Sequence, residues 1–468
     1  MYTRKKYLKI VSNQGQYAII TFAMKISGII CEYNPFHNGH KYQIDKVKAD
    51  GSDYVIAVMS GDWVQRGGPA IIDKYSRTTM ALKSGVDLVI ELPVIFSTAA
   101  AADFAMGGIS LLDSLCCVDE LSFGCESPSD QALEDVTNFM LEHQEDLAKE
   151  ISEFMKAGNS YPKARELALL NHFNEHIVEG LCKPNNILAT EYRKALHNLN
   201  SSIKPVPIKR IGSNYNETEL NIRSYSSATA IREAILSSYD FVLNDDSYLH
   251  SDEKSNVGIS TYMSFVGSTA VRQAMSEPLS PIINHVPPTT YDILLERLGK
   301  SYPLVSNNFS REVGYKALHE YYKGYEDYLD VTRELSDKIK NHLPHFESFD
   351  QFCSLLKTKD ITYSRISRCL THILLDIKKD VFADYKKASY ARILGFRKDS
   401  EQLLSIIGKN STIPLVSKLA DAASILDDKA MISLGKDIEA AHIYDFVSAC
   451  KYQNKDKQNE YTRQMIII

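Results

Sequence analysis

The sequence predicts an α/β protein: a Rossmann-like parallel sheet with helices on both faces, followed by a mainly helical C-terminal domain. Four apolar runs, at 26–32, 54–60, 88–92 and 120–123, recur roughly thirty residues apart and alternate with helix-like stretches, which is the spacing of repeated beta-alpha units. From about Pro287 onward the apolar positions repeat at helical spacing instead. At 468 residues, 44% of them hydrophobic and 24% charged, the chain is long enough for more than one core, since single cores rarely exceed about 250 to 300 residues.

Residues 1–23 carry Arg4, Lys5, Lys6 and Lys9 but lack an apolar stretch followed by a small-residue cleavage site. They read as an N-terminal extension, with Met24 as the start of the folded part. The sheet domain then spans 24–240. Its first strand runs into Asn34, Pro35, Asn38 and Gly39, residues that favour a turn before a helix. Residues 130–200 read as helices at 133–154, 162–170 and 187–196, and 203–211 as a further strand. Between Asp240 and Ser260 the composition turns polar and acidic, which marks 241–286 as an insertion or connection, and 287–468 form the helical domain.

The candidate chemistry lies in the tetrapeptide His37-Asn38-Gly39-His40, directly after the first strand. Two imidazoles one turn apart, with a glycine between them that lets backbone come close, can meet the phosphates of ATP where a helix presents free N–H groups and its positive dipole end. Adenylyl transfer has this requirement. The α-phosphate is attacked, pyrophosphate leaves, and the protein holds the developing charge. A His pair at this spacing also suits zinc, but no Cys or third His stands at a companion spacing, so no protein-held metal is expected. In parallel sheets ligands gather beyond the carboxyl ends of strands, where His37 falls. Arg210, ending the strand at 203–211, would reach the same place; a solvated surface arginine is the alternative.

The string Glu32-Tyr33-Asn34-Pro35-Phe36-His37-Asn38-Gly39-His40 resembles the signature of the HIGH-motif nucleotidyltransferases. With Met59-Ser60-Gly61, Gln65-Arg66-Gly67, the run from Ser84 to Pro93, Lys183-Pro184-Asn185-Asn186 and the stretch from Ile413 to Leu419, the chain resembles the bacterial tRNA(Met) cytidine acetate ligase family from Met24 onward. The resemblance implies that ATP is bound by Ile30, Cys31, Glu32, Tyr33, Asn34, Pro35, Phe36, His37, Asn38, Gly39 and His40, together with Gly124, Asn185 and Arg210. It makes His37 and His40 the catalytic pair. Read alone, Gly124 would be an ordinary strand-end glycine, and Asn185 or Asn186 a helix cap; the resemblance makes Asn185 the nucleotide contact and leaves Asn186 for the cap. Gln65-Arg66-Gly67 would face acetate, and the family's usual acidic residue after this triplet is Gly68 here.

A pyrophosphate motif of hydroxyls followed by an arginine is also implied, and two copies fit, at 227–235 and 268–275. Ser227, Thr229 and Arg232 of the first copy are the preferred set. The implied activity is ATP-dependent formation of acetyl-adenylate, then acetylation of the wobble cytidine of elongator tRNA(Met), with magnesium bridging the phosphates. Acetate and tRNA are therefore the expected partners, and no protein partner is implied. Two rival readings remain: an adenylyltransferase of cofactor synthesis, and a tRNA-binding protein that uses ATP only as a ligand.

A net charge of -6 argues against a protein that coats nucleic acid with its whole surface. Residues 357–398 stand apart at +7, leaving -13 for the remainder. Within them Arg365, Arg368, His372 and Lys379 fall on one helical stripe outside an apolar face, which marks a tRNA-backbone site. Lys74 and Arg77, one turn apart, read as RNA contacts or as a helix's wet face. The eight cysteines show no CxxC pair, as expected of buried thiols in a reducing, cytoplasmic compartment. No apolar run reaches the roughly 18 residues of a membrane helix.

Overall fold

A computed structural model of the chain describes residues 5–11, 17–126, 130–210, 220, 225–244, 279–454 and 459–468. The second hydroxyl-arginine copy, 268–275, and most of the 241–286 connection lie outside the described residues.

In chain order the strands are β1 (Lys5–Val11), β2 (Tyr17–Ala23), β3 (Ile26–Cys31), β4 (Tyr54–Ser60), β5 (Trp63–Val64), β6 (Gly68–Pro69), β7 (Leu88–Leu92), β8 (Glu120–Cys125), β9 (Lys204–Lys209), β10 (Ala391–Phe396), β11 (Leu415–Val416) and β12 (Ile466–Ile467). The helices that position the site are α1 (Asn38–Ala49), α2 (Lys74–Lys83), α3 (Val94–Ser97), α4 (Ala101–Ser114), α5 (Asp130–Glu142), α6 (Gln144–Lys156), α7 (Tyr161–Leu170), α8 (Glu175–Leu181), α9 (Pro184–Asn198) and α10 (Ala228–Asn244). The expected helix at 133–154 is thus two helices, α5 and α6. Within the N-terminal extension, β1 and β2 pair antiparallel with each other.

The main sheet has the order β11-β10-β7-β4-β3-β8-β9, with β12 also on β10. Strands β7, β4, β3, β8 and β9 are parallel. The chain steps outward from β3 through β4 to β7, then returns to the other side of β3 with β8 and β9. Strand order therefore reverses between β3 and β8, where a ligand crevice is expected. The ladder there is short. Ser27, Gly28 and Ile29 pair with Glu120, Leu121 and Ser122, whereas β3 pairs with β4 from Ile26 through Cys31.

The region after 287 is mainly helical, as expected, but it also supplies three strands. β10 lies antiparallel on β7, and β11 and β12 run parallel to β10. One hydrophobic core extends from Ile26 to Tyr452, so the C-terminal helices and the sheet share their burial. The pattern hid these strands because β11 and β12 are two residues long and β10 carries Arg392 and Gly395 inside a basic stretch.

Lys74 is not on a wet face. It is 0% exposed, with its ammonium 2.9 Å from Glu91 Oε1 and 3.0 Å from Glu460 Oε2. Arg392 faces the same two carboxylates, 2.9 Å from Glu91 Oε2 and bonded to Glu460. Burial pushes the Glu460 carboxyl up, but the Lys74 and Arg392 charges outweigh it and hold the group well below the usual carboxylate range. This cluster ties α2, β7, β10 and the 459–468 segment together. Truncating one member of such a cluster strands the others' charges in a dry interior, at a cost of about 3 to 5 kcal/mol. Glu460→Ala is therefore expected to lower the denaturant midpoint by that amount with an unchanged slope, whereas a loss under 1 kcal/mol would mean that the cluster is wet.

Candidate active site

The cleft opens where β3 and β8 part. Ile30, Cys31 and Glu32 line it from one side, and Phe123 and Gly124 from the other. Leu188, Tyr192 and Ile208 add an apolar end, while Lys209, Arg210, Ser226 and Arg232 add a polar, cationic one. The first supports a base and the second phosphates.

The turn that delivers the histidines is tightly determined. Tyr33 adopts φ 48°, a left-handed conformation uncommon for a bulky side chain, and its ring is buried against Phe36 at 4.7 Å and His40 at 4.8 Å. The Asn34 side chain accepts the amide of Ile71 at 2.8 Å, and its carbonyl accepts Arg232 Nη1 at 2.8 Å. Asn34 thus shapes the turn, as expected of Asn at such a position, and links it to α10.

His37 caps α1. Its Nδ1 accepts the Gly39 amide at 3.0 Å, and His40 Nδ1 accepts the His37 amide at 3.3 Å, so each ring satisfies a backbone donor that the helix end leaves open. The rings stack with centroids 3.7 Å apart. With both Nδ1 atoms accepting, the neutral rings carry their protons on Nε2, leaving two donors for an anion. Burial first, then the Arg210 and Arg232 charges, push His37 down to about 3. His40 is lowered well below its ordinary value by burial, then by His37 and Arg210. The pair therefore works as neutral donors. Gly39 is required by the cap itself, because a Cβ there would stand 2.9 Å from His37 Cε1.

Around this pair the other expected residues divide. Arg210 reaches the cleft from just past β9, with Nη1 3.4 Å from Asn185 Oδ1, and Asn185 in turn donates to Glu126 Oε1 at 2.7 Å. A Cβ on Gly124 would lie 3.3 Å from Arg210 Cγ, so this glycine makes room for the arginine stem. Arg232 lines the cleft and donates to Thr229 Oγ1 at 3.1 Å, while Ser227 Oγ accepts the Ala230 amide and caps α10. The N-termini of α1, α9 and α10 all meet the cleft, through Gly39, Asn185 and Ala228. Pro35, Phe36, Asn38, Ser227 and Thr229 do not line it and act through their neighbours. Burial pushes the Cys31 thiol up, which removes it as a nucleophile.

Several expectations need correction. Asn186 caps nothing: it is 0% exposed and binds both the amide and the carbonyl of Glu126 and the carbonyl of Gly180, tying β8 to α9. Arg77 is 0% exposed and donates to the carbonyls of Ile72, Glu32, Ser60 and Gly61. Glu32 and Ser60 follow the last β3–β4 pair, Cys31 with Met59, so this guanidinium holds the strand ends together where the ladder stops. The tRNA stripe is also spent internally. His372 is 0% exposed between the carbonyls of Leu329 at 2.9 Å and Thr98 at 3.0 Å, and it cannot meet RNA. Arg368 pairs with Asp330 at 2.8 Å, Arg365 donates to the Asp330 carbonyl at 3.2 Å, and the Lys379 ammonium donates to the carbonyls of Glu326 and Val331. The segment 326–331 takes up these donors.

At the other end of the cleft, Gln65 donates its amide N–H to Glu32 Oε1 at 2.8 Å and its side chain to the Ala99 carbonyl at 3.3 Å. A Cβ on Gly68 would fall 2.9 Å from Ser306 Oγ, so the packing here is built around the glycine rather than an acidic side chain. Gln43 of α1, which donates to the carbonyl and hydroxyl of Ser122, was not singled out from sequence, nor was Lys209 beside Arg210. Position one turn after His40, and next to a strand-end arginine, were the available signals.

A family model described as HIGH Nucleotidyl Transferase matches residues 24–257 and 250–460. A tRNA(Met) cytidine acetate ligase from a Thermoanaerobacter species is 37% identical over 423 residues, covering 90% of this chain and 95% of that protein. One from Clostridium perfringens is 33% identical over 444 residues, covering 92% and 98%. The chain belongs to the tRNA(Met) cytidine acetate ligase family of HIGH nucleotidyl transferases. Its fold is similar to the crystal structure of apo Thermotoga maritima TmcAL, with TM-score 0.80, 28% identity, and coverage of 95% of this chain and 100% of that one. The same protein bound with alpha-thio ATP matches with TM-score 0.77 at 27% identity. A nucleotide in that relative agrees with the ATP cleft that the family's signature builds here.

Two outcomes follow for this family's site. The folded-state value of His37 lies below its unfolded value near 6.5, so its contribution to stability is full above about pH 6.5 and is lost as pH falls toward 3. Denaturant unfolding should show an extra loss of about 2 kcal/mol between pH 7 and 5 that His37→Asn removes. Gly124→Ala should push Arg210 aside by a few tenths of an ångström and raise the KM for ATP about three- to tenfold with little change in melting temperature. An unchanged KM would show that Arg210 does not hold the nucleotide.

Proposed function

We propose that the protein is an ATP-dependent ligase that activates acetate and acetylates the exocyclic amine of the wobble cytidine in elongator tRNA(Met). The observation that carries this reading is the pair of Nε2 donors on His37 and His40, facing a cleft that also holds Arg210, Arg232 and Lys209 at one end and Gln65 at the other. The curated relatives bear that activity in their names over nearly their whole length.

In this mechanism an acetate oxygen attacks the α-phosphorus of ATP, the bond to the β-phosphate oxygen breaks, and pyrophosphate leaves. The histidine Nε2–H groups and the Arg210 guanidinium stabilise the charge on the α-phosphate oxygens, and Arg232 with the α10 N-terminus receives the pyrophosphate. Neutral donors suit the task, because they strengthen as charge develops and need no proton transfer. The cytidine amine then attacks the acetyl carbon, AMP departs, and the amine's proton is released.

Magnesium would arrive on the phosphates. Among the described residues no group of three His, Cys, Asp or Glu side chains is placed to hold a metal, and the carboxylate in the cleft lining, Glu32, already accepts Gln65. No step is assigned to it. ATP and tRNA place the enzyme in the cytoplasm, and no helix among the described residues is long and apolar enough to cross a membrane.

Incubation with ATP, labelled acetate and unmodified tRNA(Met), followed by nucleoside digestion, tests the proposal. Label is expected in N4-acetylcytidine, with one AMP formed per acetyl group transferred, and His40→Ala should reduce the rate at least a hundredfold. AMP joined to a small phosphorylated acceptor would favour cofactor synthesis, and retention of tRNA with no turnover would favour a binding protein.

A further inference from the structure

The helix Ser310–Glu320 and the turn after it have an uncovered face that the activation chemistry does not use. Arg311, Tyr315, Leu318 and Tyr322 recur every three to four residues and share one face. Tyr315 is 72%, Leu318 65% and Tyr322 94% exposed. Large apolar side chains are normally exposed singly, so their concentration in eight residues calls for a partner.

The charges on this face are one-sided. His319 and Lys323 stand in water beside the rings, with side chains 62% and 73% exposed. Both acidic residues of the segment turn away. Glu320 is buried and engaged by Lys316 at 3.5 Å and Lys323 at 3.4 Å, and Glu312 Oε2 is fully enclosed. The opposite face, Val313 and Ala317, is buried, and the helix packs on Tyr363–Leu374, so the ridge is held rigidly. Open aromatic faces interleaved with cations suit a partner with flat rings and phosphates. A second copy of this chain would bring the same cations against these.

We propose that this ridge is a stacking platform for unpaired bases of the tRNA, with Arg311 and Lys323 on the adjacent phosphates. The proposal rests on the RNA substrate proposed above. The ridge is joined to the cleft by backbone: Ile71, whose amide binds Asn34, accepts the Leu304 amide at 3.0 Å, and 304–309 leads into the ridge helix. At 1.5 Å per residue that helix spans roughly 16 Å, well within the reach of one tRNA arm.

The test compares the full-length protein with Tyr315→Ala/Tyr322→Ala and with Tyr315→Phe/Tyr322→Phe, using an unmodified tRNA(Met) transcript. The alanine pair should weaken the tRNA Kd at least tenfold and raise the KM for tRNA, whereas the phenylalanine pair retains both, because stacking needs the ring and not the hydroxyl. Arg311→Gln/Lys323→Gln should flatten the dependence of log affinity on log salt by about one unit. Acetate-dependent pyrophosphate exchange without tRNA should be unchanged throughout. Intact exchange with wild-type tRNA affinity in the alanine pair overturns the ridge alone, as does conversion of a dimer to a monomer by that pair, which would assign the face to self-association. A wild type with neither exchange nor tRNA binding overturns the functional reading and the ridge together.

Discussion

β3 and β8 are hydrogen-bonded only from Ser27 to Ile29, and the cleft exists because the two strands part beyond those rungs. Everything that handles nucleotide hangs from this gap. Ile30 to Glu32 and Phe123 to Gly124 become its walls, and the turn after β3 drops the start of α1 into its mouth. A guanidinium, Arg77, closes the other flank by binding the carbonyls just past the last β3–β4 pair, so the sheet opens on one side of β3 and stays shut on the other.

Within that gap the electrostatics are built from neutral donors and helix ends rather than from a cluster of bare charge. His37 and His40 cannot easily ionise beside Arg210 and Arg232, and the same arginines would repel a metal cation not carried by phosphate. The cap at the start of α1 does two things with the same atoms. By binding backbone amides through Nδ1, the rings end the helix properly, and by doing so they aim Nε2–H at the cleft.

Much of this was legible in the residues. The β3, β4 and β7 runs were visible as apolar strings, and the strand-end positions of His37 and Arg210 followed from the rule for parallel sheets. What the pattern could not show was the destination of long polar side chains. Lys74, Arg77 and His372 each sit one turn from residues that do face water, so helical spacing assigned them to the surface. Only the tertiary fold shows that carboxylates and carbonyls from distant segments wait for them inside. β10 was obscured in the same way: its Arg392 looked like part of a basic face, but its partners are Glu91 and Glu460. The aromatic ridge at 315–322 was invisible for the opposite reason, since exposed tyrosines at helical spacing look like core until the neighbouring elements are known.

The central claim is that this cleft joins a carboxylate to the α-phosphate of ATP. Exchange of labelled pyrophosphate into ATP, measured with and without acetate, tests it most directly. Exchange that appears only with acetate, and that vanishes when His37 and His40 are both replaced by Ala, is the predicted result. Exchange at equal rate without any carboxylate, or none under any condition with tRNA present, would contradict it.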